Sequence, residues 1–154
     1  MSIDKNLPHG IRINNPGNLR AAYGMKYPTK LDNGLAIFQS MSDGVQALAA
    51  LTFDFYTAHG LRTLPAFIER YAPASENDVL AYQRNMVALL GCNPLSVATT
   101  DLRLDRSWNA LKFMRAIIIV EQGHPPSGWI PDAEWIDLTT WMASMHRAAR
   151  WRIV

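Results

Sequence analysis

Cysteine, long apolar runs and strong net charge are all scarce in this sequence, and each scarcity excludes a class of protein. The single cysteine, Cys92, allows no intrachain disulfide, and its turn-like neighbours Gly91 and Asn93 indicate a small structural thiol. No segment approaches the roughly 18 consecutive apolar residues that a membrane span needs. The N-terminus also lacks the apolar region of a signal peptide. We therefore expect no stable membrane insertion, and action outside a cell would need another export route.

Sites for metals, phosphates and nucleic acids have no support either. The histidines are scattered and lack the spacing of metal ligands: His9, His59, His124 and His146. The sequence contains no glycine-rich phosphate loop and no arguable Ser-His-Asp set. Fifteen basic and thirteen acidic residues leave a net charge of +2, which is compatible with an acidic polymer but too small to indicate nucleic acid. We predict no metal, no cofactor and no nucleic-acid partner.

Apolar spacing divides the chain into a loop-rich start and a helical remainder. Residues 1–35 are rich in glycine, proline and asparagine, and Asp32-Asn33-Gly34 is a hairpin signal, so short strands are expected around 19–24 and 34–39. After Phe38, apolar residues recur at helical spacing. Five helices are predicted. The first runs from an N-cap at Ser42 to Gly60, the second covers 63–71, and the third opens at Ser75–Asp78 and ends at Gly91. The fourth covers 108–121 with Ser107 as its N-cap, and the fifth covers about 133–150 with Asp132 as its N-cap.

These elements predict a mainly α fold, a small α+β domain with about five helices and a loop or hairpin lobe. The 154 residues are 49% hydrophobic, which is enough for a core without disulfides. We find no internal repeat or linker, and we predict a single domain over 1–154.

The predicted fourth helix carries the residue that matters most. This helix is apolar on nearly every side from Trp108 to Val120, which is typical of a central buried helix. Its last residue, Glu121, falls on the same face as Ile117 and Ile118. Apolar surroundings and a helix C-terminus both raise the pKa of a carboxyl group, and a carboxylic acid that stays protonated can act as a general acid. The alternative is a helix-terminal glutamate that turns to water.

Three segments together show a family resemblance. They are Gly10-Ile11-Arg12-Ile13-Asn14-Asn15-Pro16-Gly17-Asn18-Leu19-Arg20, the stretch from Phe38 and Gly44 through His59-Gly60-Leu61 to Ile68-Glu69-Arg70-Tyr71-Ala72-Pro73-Ala74-Ser75-Glu76-Asn77-Asp78, and Ala116-Ile117-Ile118 ending in Glu121-Gln122-Gly123. In this order they resemble a family of small bacteriophage virion proteins of lysozyme-like fold, described as structural proteins or lytic transglycosylases. The resemblance covers roughly residues 10–125.

The resemblance implies a peptidoglycan-degrading glycosidase, a lytic transglycosylase or muramidase, with Glu121 as general acid and then general base. Cleavage would fall between N-acetylmuramic acid and N-acetylglucosamine, and the implied partners are bacterial peptidoglycan and other virion proteins. The implied location is a phage virion or host cell, with action at the cell wall or periplasm. In related enzymes the catalytic helix precedes the asparagine-rich loop, so the order here suggests a circular permutation.

Further site residues follow from the same segments. Asn14, Asn15 and Asn18 can hydrogen-bond sugar hydroxyl and acetamido groups, or can stabilise the turn around Pro16-Gly17. Tyr23, Tyr27 and Tyr71 can stack on sugars or pack in the core, and Arg12 and Arg20 can meet peptide carboxylates or solvent. This chain departs from the family where Tyr23-Gly24 replaces a Trp-x-Gly element, where Tyr71 replaces a Trp, and where Val79 replaces a Thr or Ser.

A hydrolase would need a second carboxylate. The candidates are Asp32, Asp43 and Glu76, although Asp32 also fits a turn residue and Glu76 also fits the first turn of a helix capped by Ser75.

Two other functions stay open at this point. One is a non-catalytic virion or cell-wall-binding protein that keeps the fold, and the other is a chitinase-like or antibacterial toxin role. The C-terminal stripe ending in Arg147, Arg150, Trp151 and Arg152 fits a core-packing helix with a charged rim, or a helix that rests on an anionic membrane.

Overall fold

The structure, a computed structural model, describes residues 5–20 and 30–123. In chain order its elements are α1 (His9–Arg12), β1 (Lys30–Asp32), β2 (Leu35–Ile37), α2 (Met41–Thr57), α3 (Leu64–Tyr71), α4 (Val79–Leu90) and α5 (Ser107–Gln122). The predicted mainly α fold with a hairpin lobe is confirmed. The expected helix at 133–150 lies outside the described residues, whereas the short helix α1 is an addition to the predicted elements.

The hairpin forms where the turn signal predicts it. Asn33 and Gly34 both have positive φ, 51° and 77°, which is the backbone that a two-residue type I′ turn requires. The strands β1 and β2 pair antiparallel, with Asp32 opposite Leu35. The strand expected from residue 19 is not formed at 19–20, because Leu19 gives β2 one backbone contact only, its carbonyl accepting from the Ala36 N–H at 2.8 Å.

Three helix starts differ from the predicted ones. The N-cap of α2 is Ser40, whose hydroxyl accepts from the Asp43 N–H at 3.1 Å, and the predicted cap Ser42 lies inside the first turn. Asp78 is the N-cap of α4 and accepts from the Ala81 N–H at 3.0 Å, so Ser75 and Glu76 precede the helix. The predicted cap Ser107 is the first residue of α5. At α2 and α4 the reason is the same: the residue with extended backbone is the one that can turn its side chain toward the free N–H groups. At α5 the extended residue is Arg106, whose side chain makes no capping hydrogen bond.

Helix α5 is the central element of the described core. It packs against α1, α2 and α4 and buries these side chains: Ala110, Leu111, Phe113, Met114, Ala116, Ile117 and Ile118. The prediction of a buried helix holds for this part, but Trp108 at the N-terminal end is 67% exposed. No helix in the part of the chain that the structure describes is long and apolar enough to cross a membrane.

A buried amide joins the loop after α1 to the hairpin. Asn15 is fully buried, its Nδ2 donates to the carbonyls of Leu19 at 2.8 Å and Ala36 at 2.9 Å, and its Oδ1 accepts from the Leu19 N–H at 2.8 Å. These bonds use both N–H groups of the amide and one acceptor position of its oxygen, so Asn15 fits the alternative role of stabilising the loop, and no donor of this side chain is left for a substrate. The side chain replaces the backbone pairing that a third strand would have supplied.

We expect Asn15→Ala to lower the free energy of unfolding by about 3 kcal/mol, because several buried backbone groups lose their partners at once. Urea unfolding of the full chain measures the change. Asn85→Ala, at an exposed position of α4, is the matched control and should stay within about 0.5 kcal/mol of wild type. Equal stability of Asn15→Ala and wild type would contradict the role of this amide.

Candidate active site

The carboxyl group of Glu121 points into the molecule from the last turn of α5. Its Oε2 accepts a hydrogen bond from Asn18 Nδ2 at 2.7 Å, and its Oε1 accepts one from the Tyr82 hydroxyl at 2.8 Å. The Glu121 side chain is half-buried. The alternative that this residue simply turns to water is therefore wrong, and the loop after α1 and the helix α4 both meet α5 at this carboxyl.

Burial raises the pKa of Glu121 above its ordinary value, and the hydrogen bonds from Asn18 and Tyr82 lower it without cancelling the rise. A carboxyl group in this state keeps a proton at higher pH than an exposed glutamate. The two donors also fix the orientation of the carboxyl plane. This combination of a retained proton and a fixed direction is what a general acid needs.

Two tyrosines lie near the carboxyl group, the buried Tyr82 and the half-buried Tyr71. Burial raises the pKa of both Tyr71 and Tyr82, and the negative charge of Glu121 raises them further. Both phenols therefore stay neutral and keep their protons for hydrogen bonding. The Tyr71 hydroxyl donates to the Gly17 carbonyl, and the two rings meet edge to face with their centroids 6.5 Å apart.

The asparagine-rich loop presents one of its three asparagines to the carboxyl group. Asn14 and Asn18 have positive φ, 58° and 51°, a backbone that asparagine adopts more readily than most residues. Asn14 Nδ2 donates to the Phe38 carbonyl at 3.1 Å, so this half-buried amide ties the loop to the segment after β2. A substrate contact of Asn14 stays a prediction. Only Asn18 reaches Glu121.

A cleft of about 390 Å³ opens at Glu121, between the hairpin and the helices. Its walls include Leu35 from β2, Leu51 and Phe55 from α2, and Arg70 and Tyr71 from α3. Asn18, Arg20, Glu76, Asn77 and Glu121 add polar groups. The volume falls in the range of small-molecule pockets, and the mixed lining places apolar faces beside hydrogen-bonding groups.

The predicted second carboxylates separate in space. Glu76 lines the same cleft as Glu121, where it forms an ion pair with Arg20, and its predicted place in the first turn of a helix is wrong. Asp32 pairs with His9 at 2.7 Å, and Asp43 lies in the first turn of α2. Neither aspartate lines the cleft.

The other predicted residues are placed as follows. Tyr71 lines the cleft, as does Arg20. Arg12 does not; its Nε donates to the Leu7 carbonyl at 3.1 Å. Tyr23 and Tyr27 lie outside the described residues.

Sequence reasoning missed two residues of the site. Tyr82 falls at an apolar position of its helix, and nothing in that spacing distinguishes a buried phenol that donates to a carboxylate from a core ring. Gln122 was seen only as part of the Glu-Gln-Gly block, yet it is buried and its Nε2 donates to Asn18 Oδ1 at 2.9 Å. The available signal was a glutamine directly after the candidate acid, at the end of a largely apolar helix.

No protein-family model and no curated protein matches this chain. Within residues 5–20 and 30–123, no three His, Cys, Asp or Glu side chains come together as a metal site.

The raised pKa of Glu121 predicts how stability depends on pH. A carboxyl whose pKa is raised by folding contributes most below its unfolded value, and that contribution is lost as pH rises through the folded value. We expect Glu121→Gln to be more stable than wild type at neutral pH, with the difference growing as pH rises above about 4.5, the ordinary value.

Urea unfolding across the acid-to-neutral range measures this difference. The matched control is Glu69→Gln at an exposed position of α3, which leaves Glu121 in place and should keep the wild-type pH dependence. If Glu121→Gln is less stable than wild type at neutral pH and equally stable in acid, folding does not raise the pKa of Glu121 and the prediction is wrong.

Proposed function

We propose that the protein is a peptidoglycan-cleaving glycosidase of the lytic transglycosylase type, with Glu121 as its single catalytic acid and base. The observation that carries the proposal is one carboxyl with a raised pKa, held by Asn18 and Tyr82 at the edge of a cleft. The resemblance of the Asn-Asn-Pro-Gly-Asn and Glu-Gln-Gly segments to phage virion transglycosylases of lysozyme-like fold gives the substrate class.

The reaction needs a proton at the bond that breaks. Protonated Glu121 gives its proton to the glycosidic oxygen as the bond between C1 of N-acetylmuramic acid and that oxygen breaks, so N-acetylglucosamine leaves with a free hydroxyl. The 6-hydroxyl of the muramic acid then attacks C1 and loses its proton to the Glu121 carboxylate. A 1,6-anhydro sugar forms, and Glu121 returns to its acid form.

A one-carboxyl mechanism suits the other acid in the cleft. Glu76 already has a partner, because its Oε2 forms an ion pair with Arg20. A retaining or inverting hydrolase needs a second carboxylate that is free to attack the sugar or to activate water. The arrangement therefore favours attack by the substrate's own hydroxyl.

The cleft lining suits a sugar polymer with acidic peptide branches. Leu51 and Phe55 provide an apolar wall for sugar faces, and the guanidinium of Arg70 lies 5.8 Å from the centre of the Phe55 ring. This cation can pair with the carboxylates of wall peptides, which chitin lacks. We take bacterial peptidoglycan as the partner and a phage virion or its host cell as the setting.

We expect wild type to release muropeptides that end in 1,6-anhydro-muramic acid from purified peptidoglycan, and Glu121→Gln to release them at least about 100-fold more slowly, because it cannot supply the proton. Mass spectrometry of the soluble fragments measures both. The exposed Glu69→Gln is the control and should digest like wild type. No release by wild type from several wall types would refute the enzyme and favour a non-catalytic virion or wall-binding protein.

The role of Glu76 has its own test. We expect Glu76→Gln to keep the rate within about threefold of wild type and to give the same anhydro products, because the variant loses an exposed ion pair and no catalytic group. The same assay measures it. Reducing-end products together with a loss as large as that of Glu121→Gln would make Glu76 the second carboxylate of a hydrolase.

A further inference from the structure

Gln122 occupies a buried position directly behind the candidate acid. Its side chain is 8% exposed, and its Nε2 lies 3.0 Å from the Pro16 carbonyl and 2.9 Å from Asn18 Oδ1. Asn18 in turn places Nδ2 at 2.7 Å from Glu121 Oε2. The contacts form one chain of hydrogen bonds from a backbone carbonyl, through two amides, to the carboxyl group.

The direction of this chain is decided at its backbone end. A backbone carbonyl can only accept, so the amide of Gln122 must turn its nitrogen toward Pro16. The second N–H of the same nitrogen then faces Asn18, so Asn18 must accept this hydrogen bond through Oδ1. The nitrogen of Asn18 is left facing Glu121. Each amide orientation follows from the one before it.

We propose that Gln122 is a positioning residue whose amide, anchored on the Pro16 carbonyl, orients Asn18 so that a donor and not an acceptor faces Glu121. The geometric part of this proposal stands alone, and its importance for catalysis rests on the proposed function. Gln122 acts through Asn18, since Asn18 is the residue that contacts the carboxyl group.

Gly10 supports the same arrangement independently. A Cβ added at Gly10 would collide with Gln122 Nε2, Asn18 Oδ1 and the Asn15 carbonyl oxygen. The φ of this glycine is not positive, so conformational freedom does not explain it. Gly10 leaves room for the contact between the amides of Gln122 and Asn18, and this explains why a glycine stands at position 10.

The orientation also decides which oxygen of Glu121 carries the proton. The Asn18 nitrogen can only donate, so it favours Oε2 as the carbonyl oxygen of the protonated acid. The Tyr82 hydroxyl can accept as well as donate, so it tolerates a proton on Oε1. When Glu121 is protonated, this arrangement favours the proton on Oε1, with the Tyr82 hydroxyl turning to accept it.

Other groups around Glu121 bear on any titration of it. Tyr82 from α4 and Tyr71 from α3 keep their protons throughout the acid range, because burial raises the pKa of each. Glu76, Arg20 and Arg70 line the same cleft, and Glu76 is the one other acid among the cleft residues that the structure describes. In the Glu76→Gln variant, Glu121 is the remaining carboxyl group among the described cleft residues, so its titration can be followed without that of Glu76.

The test is a carbon-13 NMR titration of Glu121 in the full chain, in wild type, Gln122→Met, Asn18→Gly and the double variant. Methionine keeps the length of glutamine without a donor, and glycine keeps the positive φ of residue 18. We expect each single change to move the midpoint upward by roughly one pH unit, the size of one charge-assisted hydrogen bond. In Gln122→Met, Asn18 is free to turn its oxygen toward the protonated acid.

The double variant tests whether Gln122 acts through Asn18 or independently of it. If Gln122 acts through Asn18, the double variant should titrate like Asn18→Gly alone. Gln46→Met is the matched control: Gln46 Nε2 donates to the Ser42 hydroxyl at 3.1 Å on α2, outside the cleft, so the Glu121 midpoint should not move. Additive shifts, or no shift in Gln122→Met, would overturn the proposal.

A second measurement needs no variant and covers the case in which Gln122→Met fails to fold. In wild type, the side-chain N–H resonances of Asn18 should move with the Glu121 midpoint, because that nitrogen donates to the carboxyl. Resonances that ignore the midpoint would overturn the proposal. Neither experiment uses a substrate, so a protein that passes both and digests no peptidoglycan would refute the proposed function and leave the role of Gln122 intact.

Discussion

The hydrogen bond between Asn18 and Glu121 is the interaction on which the rest of the site depends. It joins residues 103 positions apart, one in an irregular loop and one at the end of the central helix. Closing so long a loop costs conformational entropy, and the apolar packing of α5 against α1, α2 and α4 is what offsets it. The same packing removes water from one side of the carboxyl and so raises its pKa.

Close backbone approach makes this contact possible. Gly44 in α2 faces the Asn14 carbonyl so closely that a Cβ there would collide with it. Gly10 does the same beside the amides of Asn18 and Gln122. The loop after α1 therefore lies close against α2, and polar groups of the loop are satisfied by the amides of Asn15 and Gln122. A loop held this firmly can present one amide with a defined direction.

The charged form of Glu121 lowers the stability of the fold. A glutamate at the C-terminus of a helix, half-buried among apolar neighbours, is unfavourable in its charged form. Asn18 and Tyr82 reduce this cost without removing it, since the pKa of Glu121 remains raised. A carboxyl that was fully stabilised as an anion would be a poor acid, and one with no donors would have no fixed direction.

The sequence by itself determined the helical class, the hairpin at Asn33-Gly34 and the position of Glu121 on an inward face of its helix, because apolar period and turn chemistry are local signals. It misplaced the caps at Ser42, Ser75 and Ser107, since neighbouring polar residues compete for that position and backbone conformation chooses among them. Only the tertiary structure decided which asparagine meets the acid and brought in Tyr82 and Gln122. Those contacts join residues far apart in the chain, and no local pattern records which partner a buried polar group will find.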